Sequence, residues 1–137
     1  MTLLDAYAVI EFLVSGPAAP QVRAVLREGG AGVATANLAE ALDVSHRVHG
    51  LPIGRALEIL EPLFEGPLAV RVLDFAIARR AAEIRAAHYH RSSRPISLAD
   101  CVLIASAGPG DRIATADPHL LAVAHAVGVG SMPLPGR

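Results

Sequence analysis

Ser97–Ala107 reads SLADCVLIASA: a serine suited to capping a helix, then a run in which Asp100 is the single charge. A helix that is apolar on all sides has no face to offer water, so it must lie centrally, covered by other elements. Working outward, the polar stretch His90–Pro95 (HRSSRP) before it reads as a loop. Ahead of that, Asp74 is placed to cap a long helix to about Tyr89, in which Phe75, Ala78, Ala82 and Arg85 recur at helical spacing. Ala69–Leu73 alternates as a strand does, with Val70 and Val72 on one face. On the other side of the central helix, Asp111–Ala114 reads as a strand, Asp117-Pro118 as the start of a last helix, and Val127–Met132 as a final strand. The tail PLPGR is expected to be loose.

The first half repeats the alternation. Thr2–Leu4 is a short strand stopped by Asp5, followed by a helix through about Val14 that Ser15, Gly16 and Pro17 close. A second helix, roughly Ala18–Glu28, ends at Gly29-Gly30. Ala31–Ala34 is the next strand, with Thr35 as N-cap of a helix to about Val48. Pro52 suits the first turn of another helix, which Gly66-Pro67 ends after Phe64. Short strands alternating with helices predict a parallel sheet covered on both faces, hence one three-layer α/β domain over residues 1–137.

Composition narrows the function. The 12 basic residues are all arginine, the formal net charge is −1, and only 4% of residues are aromatic. Mechanisms that need a catalytic lysine are excluded. A surface holding long nucleic acid by charge alone is not expected, so any nucleic-acid contact is local. Cys101 is the single cysteine and sits in an apolar run, the pattern of a reduced, buried thiol in a cytoplasmic protein. Asp5 and Glu11 interrupt the N-terminal apolar stretch, so it reads neither as a signal peptide nor as a membrane span.

In open parallel sheets, ligands bind beyond the carboxyl ends of the strands. Asp5 ends the first strand, and Asp117 lies two residues past Thr115 at the end of the fourth. Glu40 is just over a turn into the helix after the second strand, and Asp100 is in the first turn of the central helix. Each has a plain structural explanation as a cap or a solvated acid. Together they would crowd one edge with negative charge, which a divalent cation relieves, and oxygen ligands select Mg²⁺ or Mn²⁺.

In these motifs the sequence resembles the PIN-domain family: LLDAYAVI with Asp5, TANLAEAL with Glu40, SLADCVLIASA with Asp100, and IATADPHL with Thr115 and Asp117. The four motifs occur in the family's order and spacing across essentially the whole chain. Length and compactness are similar to the VapC-type toxins within that family. The resemblance implies a Rossmann-like sheet and an Mg²⁺- or Mn²⁺-dependent endoribonuclease that cleaves structured RNA of the tRNA or rRNA class with water activated at the metal. Asp5, Asp100 and Asp117 would be the principal metal ligands. Glu40 would be a ligand through water or the group orienting the nucleophile, and Thr115 a supporting hydroxyl. It also implies a cognate VapB-like antitoxin and a homodimer. Ile10, Phe12, Leu13 and Val14 offer more apolar surface than one face can bury, so a share of them is expected at such contacts. Two positions depart from the family pattern. Tyr7 stands where a small hydroxyl residue is common, and Pro118-His119 where a further acid is common.

Other features carry less. His46 and His49 have metal-ligand spacing but lie near the far end of their helix, and Asp43 reads as a surface acid. His88 and His90 with Arg91 and Arg94 form a basic loop that reads first as solvated and second as an RNA contact. A phosphotransfer receiver would need an acidic pair at the first strand and a late lysine. A haloacid-dehalogenase-type phosphatase would need Asp-x-Asp where this chain has Asp5-Ala-Tyr7, and a lysine as well. The alternative from another class is a PIN-like binding module that has lost catalysis, against which all four acids count.

Overall fold

A computed structural model describes residues 1–137. Its elements are β1 (Thr2–Leu4), α1 (Ala6–Val14), α2 (Ala19–Glu28), β2 (Ala31–Ala34), α3 (Thr35–Arg47), α4 (Ile53–Phe64), β3 (Leu68–Arg71), α5 (Phe75–His88), α6 (Leu98–Ala105), β4 (Arg112–Thr115), α7 (Pro118–Ala126) and β5 (Gly130–Pro133). The strands form one five-stranded sheet in the order β3-β2-β1-β4-β5, parallel throughout. β1 is therefore the middle strand, and the chain order reverses direction across the sheet between β1 and β4.

The period-2 geometry of a strand divides the core between two faces. Leu4, Val33 and Ala114 pack with Val9, Leu13, Val22 and Leu60 from α1, α2 and α4. Their neighbours Leu3, Ala34 and Ile113 pack with Ile84, Leu103, Ile104, Leu120 and Val123 from α5, α6 and α7. Strands covered on both sides must be apolar at successive positions, and β1 is buried at all three of its residues. The central helix is as expected: Cys101, Val102, Leu103 and Ile104 of α6 are all buried.

Several details differ from the sequence expectation. Thr35 is not an N-cap: it is the first helical residue, and its hydroxyl accepts from the Leu73 amide at 3.3 Å instead. β3 is shorter than expected and lies at an edge, with Val70 exposed and Val72 outside the strand. The row Phe75, Ala78, Ala82, Arg85 is not the packed face of α5. Phe75 is 82% exposed, and Ala81 and Ile84 face the core. The last strand starts later, at Gly130, because Gly128 takes a positive φ after α7. Ile10 and Leu13 are buried in the monomer core, while Phe12 and Val14 pack partly against it and stay partly exposed.

The tail is not loose. Leu134 is buried and its amide donates to the Thr115 carbonyl at 2.8 Å. Arg137 then reaches Glu11 of α1, donating from Nε at 3.1 Å and from Nη2 at 2.8 Å to Oε2. No helix is long and apolar enough to cross a membrane.

Candidate functional site

Parallel strands aim all their carboxyl ends at one edge, and the helices that follow start there. Asp5 is the residue after β1 and the N-cap of α1, its Oδ1 accepting from the Ala8 amide at 2.7 Å. It is 4% exposed. Asp117 occupies the equivalent place after β4: it caps α7, Oδ1 accepting from the His119 amide at 2.8 Å. Asp100 lies in the first turn of α6, where Ser97 Oγ accepts from its amide at 3.1 Å. Glu40 stands on α3, on the exposed side of that helix.

Electrostatics tie these acids together. Burial pushes the Asp5 carboxyl up to about 6; the Thr115 hydroxyl and the Ala8 amide oppose the rise, and the Asp117 and Glu40 charges add to it. Burial also carries Asp100 up to about 7, with the Asp5, Glu40 and Asp117 charges adding and the Ser97 hydroxyl opposing. Glu40 is raised too, by partial burial and then by its neighbour Asp43. The four acids come from separate stretches of chain, and the charges of Asp5, Glu40 and Asp117 all act on Asp100. Thr115 is fully buried at the end of β4, and its hydroxyl accepts from the Asp117 amide at 3.0 Å.

The remaining acids are handled differently. Asp111, at the opposite edge of the sheet, pairs with Arg71 at 2.8 Å. Glu11, fully buried, pairs with Arg137 at 2.8 Å. None of Asp5, Glu40, Asp100 and Asp117 has a cationic partner. An all-oxygen, mutually repelling set of this kind fits a hard divalent cation. As placed, no three acid, histidine or cysteine side chains are gathered tightly enough to hold a metal ion. Asp5 and Asp117 each spend one carboxylate oxygen on a helix cap and keep the other free. The histidine alternative has no support, since His46 is exposed at the end of α3. Cys101 is fully buried, and burial and the Asp100 charge raise its thiol to about 11, which makes it inert.

One group went unseen in the sequence. Tyr7, a departure from the family pattern, has its hydroxyl 2.6 Å from Glu11 Oε1 and 2.7 Å from the Pro135 carbonyl, two acceptors competing for its single proton. Glu11 is 0% exposed, and a Cβ at Gly16 would meet its Oε2 at 1.6 Å, so a side chain there would displace the carboxylate. Burial alone would raise the Glu11 pKa; the Arg137 guanidinium and the Tyr7 hydroxyl outweigh it and hold the carboxyl below its ordinary range. This clasp draws the tail over the carboxyl edge beside Asp5. The only hint in sequence was a lone Glu in the apolar run VIEFLV; its partner is 126 residues away.

The all-parallel sheet with acids at the carboxyl ends of β1 and β4 is the PIN-domain fold. Several solved structures are similar to this chain, among them a toxin–antitoxin complex from Klebsiella pneumoniae, 16% identical, with 89% of this chain and 91% of that one covered and a TM-score of 0.63. DNA-bound VapBC from Salmonella typhimurium is 21% identical, with 96% of each chain covered and a TM-score of 0.69. FitAcB from Neisseria gonorrhoeae is 24% identical over 96% of each chain, with a TM-score of 0.66. VapBC2 from Rickettsia felis, bound to a DNA fragment from their promoter, is 9% identical over 98% of each chain, with a TM-score of 0.69. At such identities the likeness is one of fold. No family model and no curated protein matches the sequence.

Proposed function

We propose that the chain is a metal-dependent endoribonuclease, acting on structured RNA and held in check by a small VapB-like antitoxin. The observation that carries this reading is the set of four unpaired acids, with Asp5 buried and Asp100 half-buried, both raised in pKa by loss of solvent and one another's charge. Buried acids without partners are costly, and sites with strongly shifted pKa values in a cleft are candidates for chemistry. Asp5, Asp100 and Asp117 would hold Mg²⁺ or Mn²⁺, with Glu40 reaching in through water. Such a cation, when bound, would activate water toward phosphorus and stabilise the leaving oxygen. The chain's own part is to keep Asp5 and Asp117 fixed through their helix caps, with the Thr115 hydroxyl holding the Asp117 amide. Asp100 on the rigid central helix closes the edge from the side of α6. With no positive charge beside the acids, a guanidinium from a partner would find bidentate acceptors there, which suits an inhibitory arginine on an antitoxin.

The test is cleavage of structured RNA by the purified chain with Mg²⁺, with Mn²⁺, with Ca²⁺ and with excess chelator, beside an Asp100→Asn control. Activity with the first two, lost in chelator and in the variant, is expected; Ca²⁺ should bind without supporting turnover, because its looser geometry positions water poorly. Full activity in chelator would remove the metal assignment, and a folded chain inert under every condition would point to a binding module instead.

A further inference from the structure

The arginines are unevenly spread: Arg79, Arg80, Arg85, Arg91 and Arg94 fall in α5 and the loop after it, with Glu83 the single acid among them. Arg79 pairs with Glu83 at 2.9 Å, whereas Arg80, Arg85, Arg91 and Arg94 pair with no carboxylate. In a chain of net charge −1, this is a local, uncompensated positive surface. At its C-terminal part, from Arg85 to Arg94, lies a groove between the end of α5 and the first turn of α6, lined by Ala82, Arg85, Ala86, Tyr89 and Leu98.

The groove is preformed. Arg85 donates from Nε to the Ile96 carbonyl at 3.2 Å, which fixes the guanidinium plane, and that plane lies over the Tyr89 ring at 4.3 Å from its centre. Tyr89 and Leu98 are both exposed, at 42% and 52%. The loop is stiff as well. His90 Nδ1 accepts from the Ser92 and Ser93 amides at 3.3 and 3.1 Å, and the His90 and Arg94 backbones bond to each other in both directions. Arg91 is thereby held outward at the tip. Leu98 is two residues before Asp100, so groove and acids flank the same helix start on opposite sides, about a helix diameter (~10 Å) apart.

Aromatic and guanidinium planes beside unpaired arginines are the parts that take single-stranded nucleic acid: stacking for a base, charge for its phosphates. We propose that the groove between α5 and α6 receives an unpaired base of the RNA, stacked on Tyr89 and Arg85, while Arg91 and Arg94 hold the flanking phosphates. The strand would then cross the start of α6 to reach the acids. This rests on the nuclease reading above, and it commits the α5 side to RNA rather than to a protein.

The test is binding without turnover. Fluorescence anisotropy of a short, unstructured RNA of mixed sequence is followed with the Asp5→Asn chain, alone and with Tyr89→Ala, Tyr89→Phe or Arg91→Gln/Arg94→Gln added. Tyr89→Ala should weaken binding about tenfold, and Tyr89→Phe should restore it, since stacking needs the ring and not the hydroxyl. The double arginine variant should flatten the dependence of log affinity on log salt by about 1.4, the value for two phosphates on a single strand. Because Tyr89 and Arg91 are exposed and Arg94 is only half-buried, nearly unchanged thermal melting is expected and checks the fold. RNA binding indifferent to all three changes would overturn the proposal and leave the nuclease reading intact. A change in the chain's mass by light scattering with no change in RNA affinity would overturn it too, by giving the face to a protein contact. No RNA binding by the Asp5→Asn chain would also overturn it, and cleavage by the unmutated chain separately decides the nuclease reading.

Discussion

Replacing Asp5 by Asn should make the metal-free chain more stable at neutral pH. Burial and two neighbouring charges raise the Asp5 carboxyl from 3.8 to about 6 in the folded chain. A folded pKa above the unfolded one means that ionisation is easier once unfolded, so stability is lost as pH rises from about 4 to about 6 and stays low above that. The rise corresponds to about 3 kcal/mol at pH 7.5 and about 0.5 kcal/mol at pH 4. Asn removes that penalty while keeping the cap on the Ala8 amide, because Asn caps helices as well as Asp does. In chelator at pH 7.5 the variant should melt about 10 °C higher, taking 3–4 °C per kcal/mol for a domain of this size, and near pH 4 the two should nearly coincide. Added Mg²⁺ should raise the melting temperature of the unmutated chain alone. Scanning calorimetry or thermal melting by circular dichroism reads all of this. An Asn variant destabilised equally at both pH values would refute the reasoning, for it would mean that the Asp5 carboxylate is a favourable structural acid.

Three further outcomes follow from the same structure. Asp100→Asn should fold, melt higher than the unmutated chain in chelator, and lose at least about a thousandfold in cleavage rate with Mg²⁺, the scale of a lost metal ligand. Glu11→Gln should cost about 2 kcal/mol at pH 7 in urea unfolding, since the fully buried carboxylate gives up charge-assisted bonds. Its depressed pKa reverses the sign seen for Asp5: the difference is present above pH 4.5 and shrinks as pH falls below it, and a cost unchanged at pH 3 would exclude the ionic clasp. Light scattering at micromolar concentration should give twice the chain mass for the homodimer that the family resemblance implies, and a monomer there would exclude it.

Much of this was legible in sequence because its signals are local. The covered parallel sheet followed from short strands alternating with helices, the central place of α6 from its having no polar face, and the edge positions of Asp5 and Asp117 from their places just past β1 and β4. The misreadings have a common origin. Phe75 and Thr35 were given roles by spacing and residue type, which register one helix at a time; the structure turns α5 so that Ala81 and Ile84 pack, and hands the Thr35 hydroxyl to the Leu73 amide. The tail was misjudged for a sharper reason. Pro, Gly and a terminal Arg read as a solvated end, and only a carboxylate buried on α1 makes that Arg indispensable.

The two treatments of buried and half-buried acids within one chain bear on what the edge is for. Glu11 and Asp111 are partnered by arginine and held below the ordinary carboxylate range. Asp5 and Asp100 have no such partner and are pushed well above it. The chain has arginines to spare, since Arg80, Arg91 and Arg94 pair with no acid. Packing alone would be better served by amides or small apolar residues at Asp5 and Asp100, because an ionised, unpaired buried acid weakens the fold. Local rules broken with no structural compensation mark sites kept for chemistry. That cost falls at the carboxyl edge, where a parallel sheet presents its helix starts to a ligand, and it is the strongest physical reason to look for the cation and the RNA there.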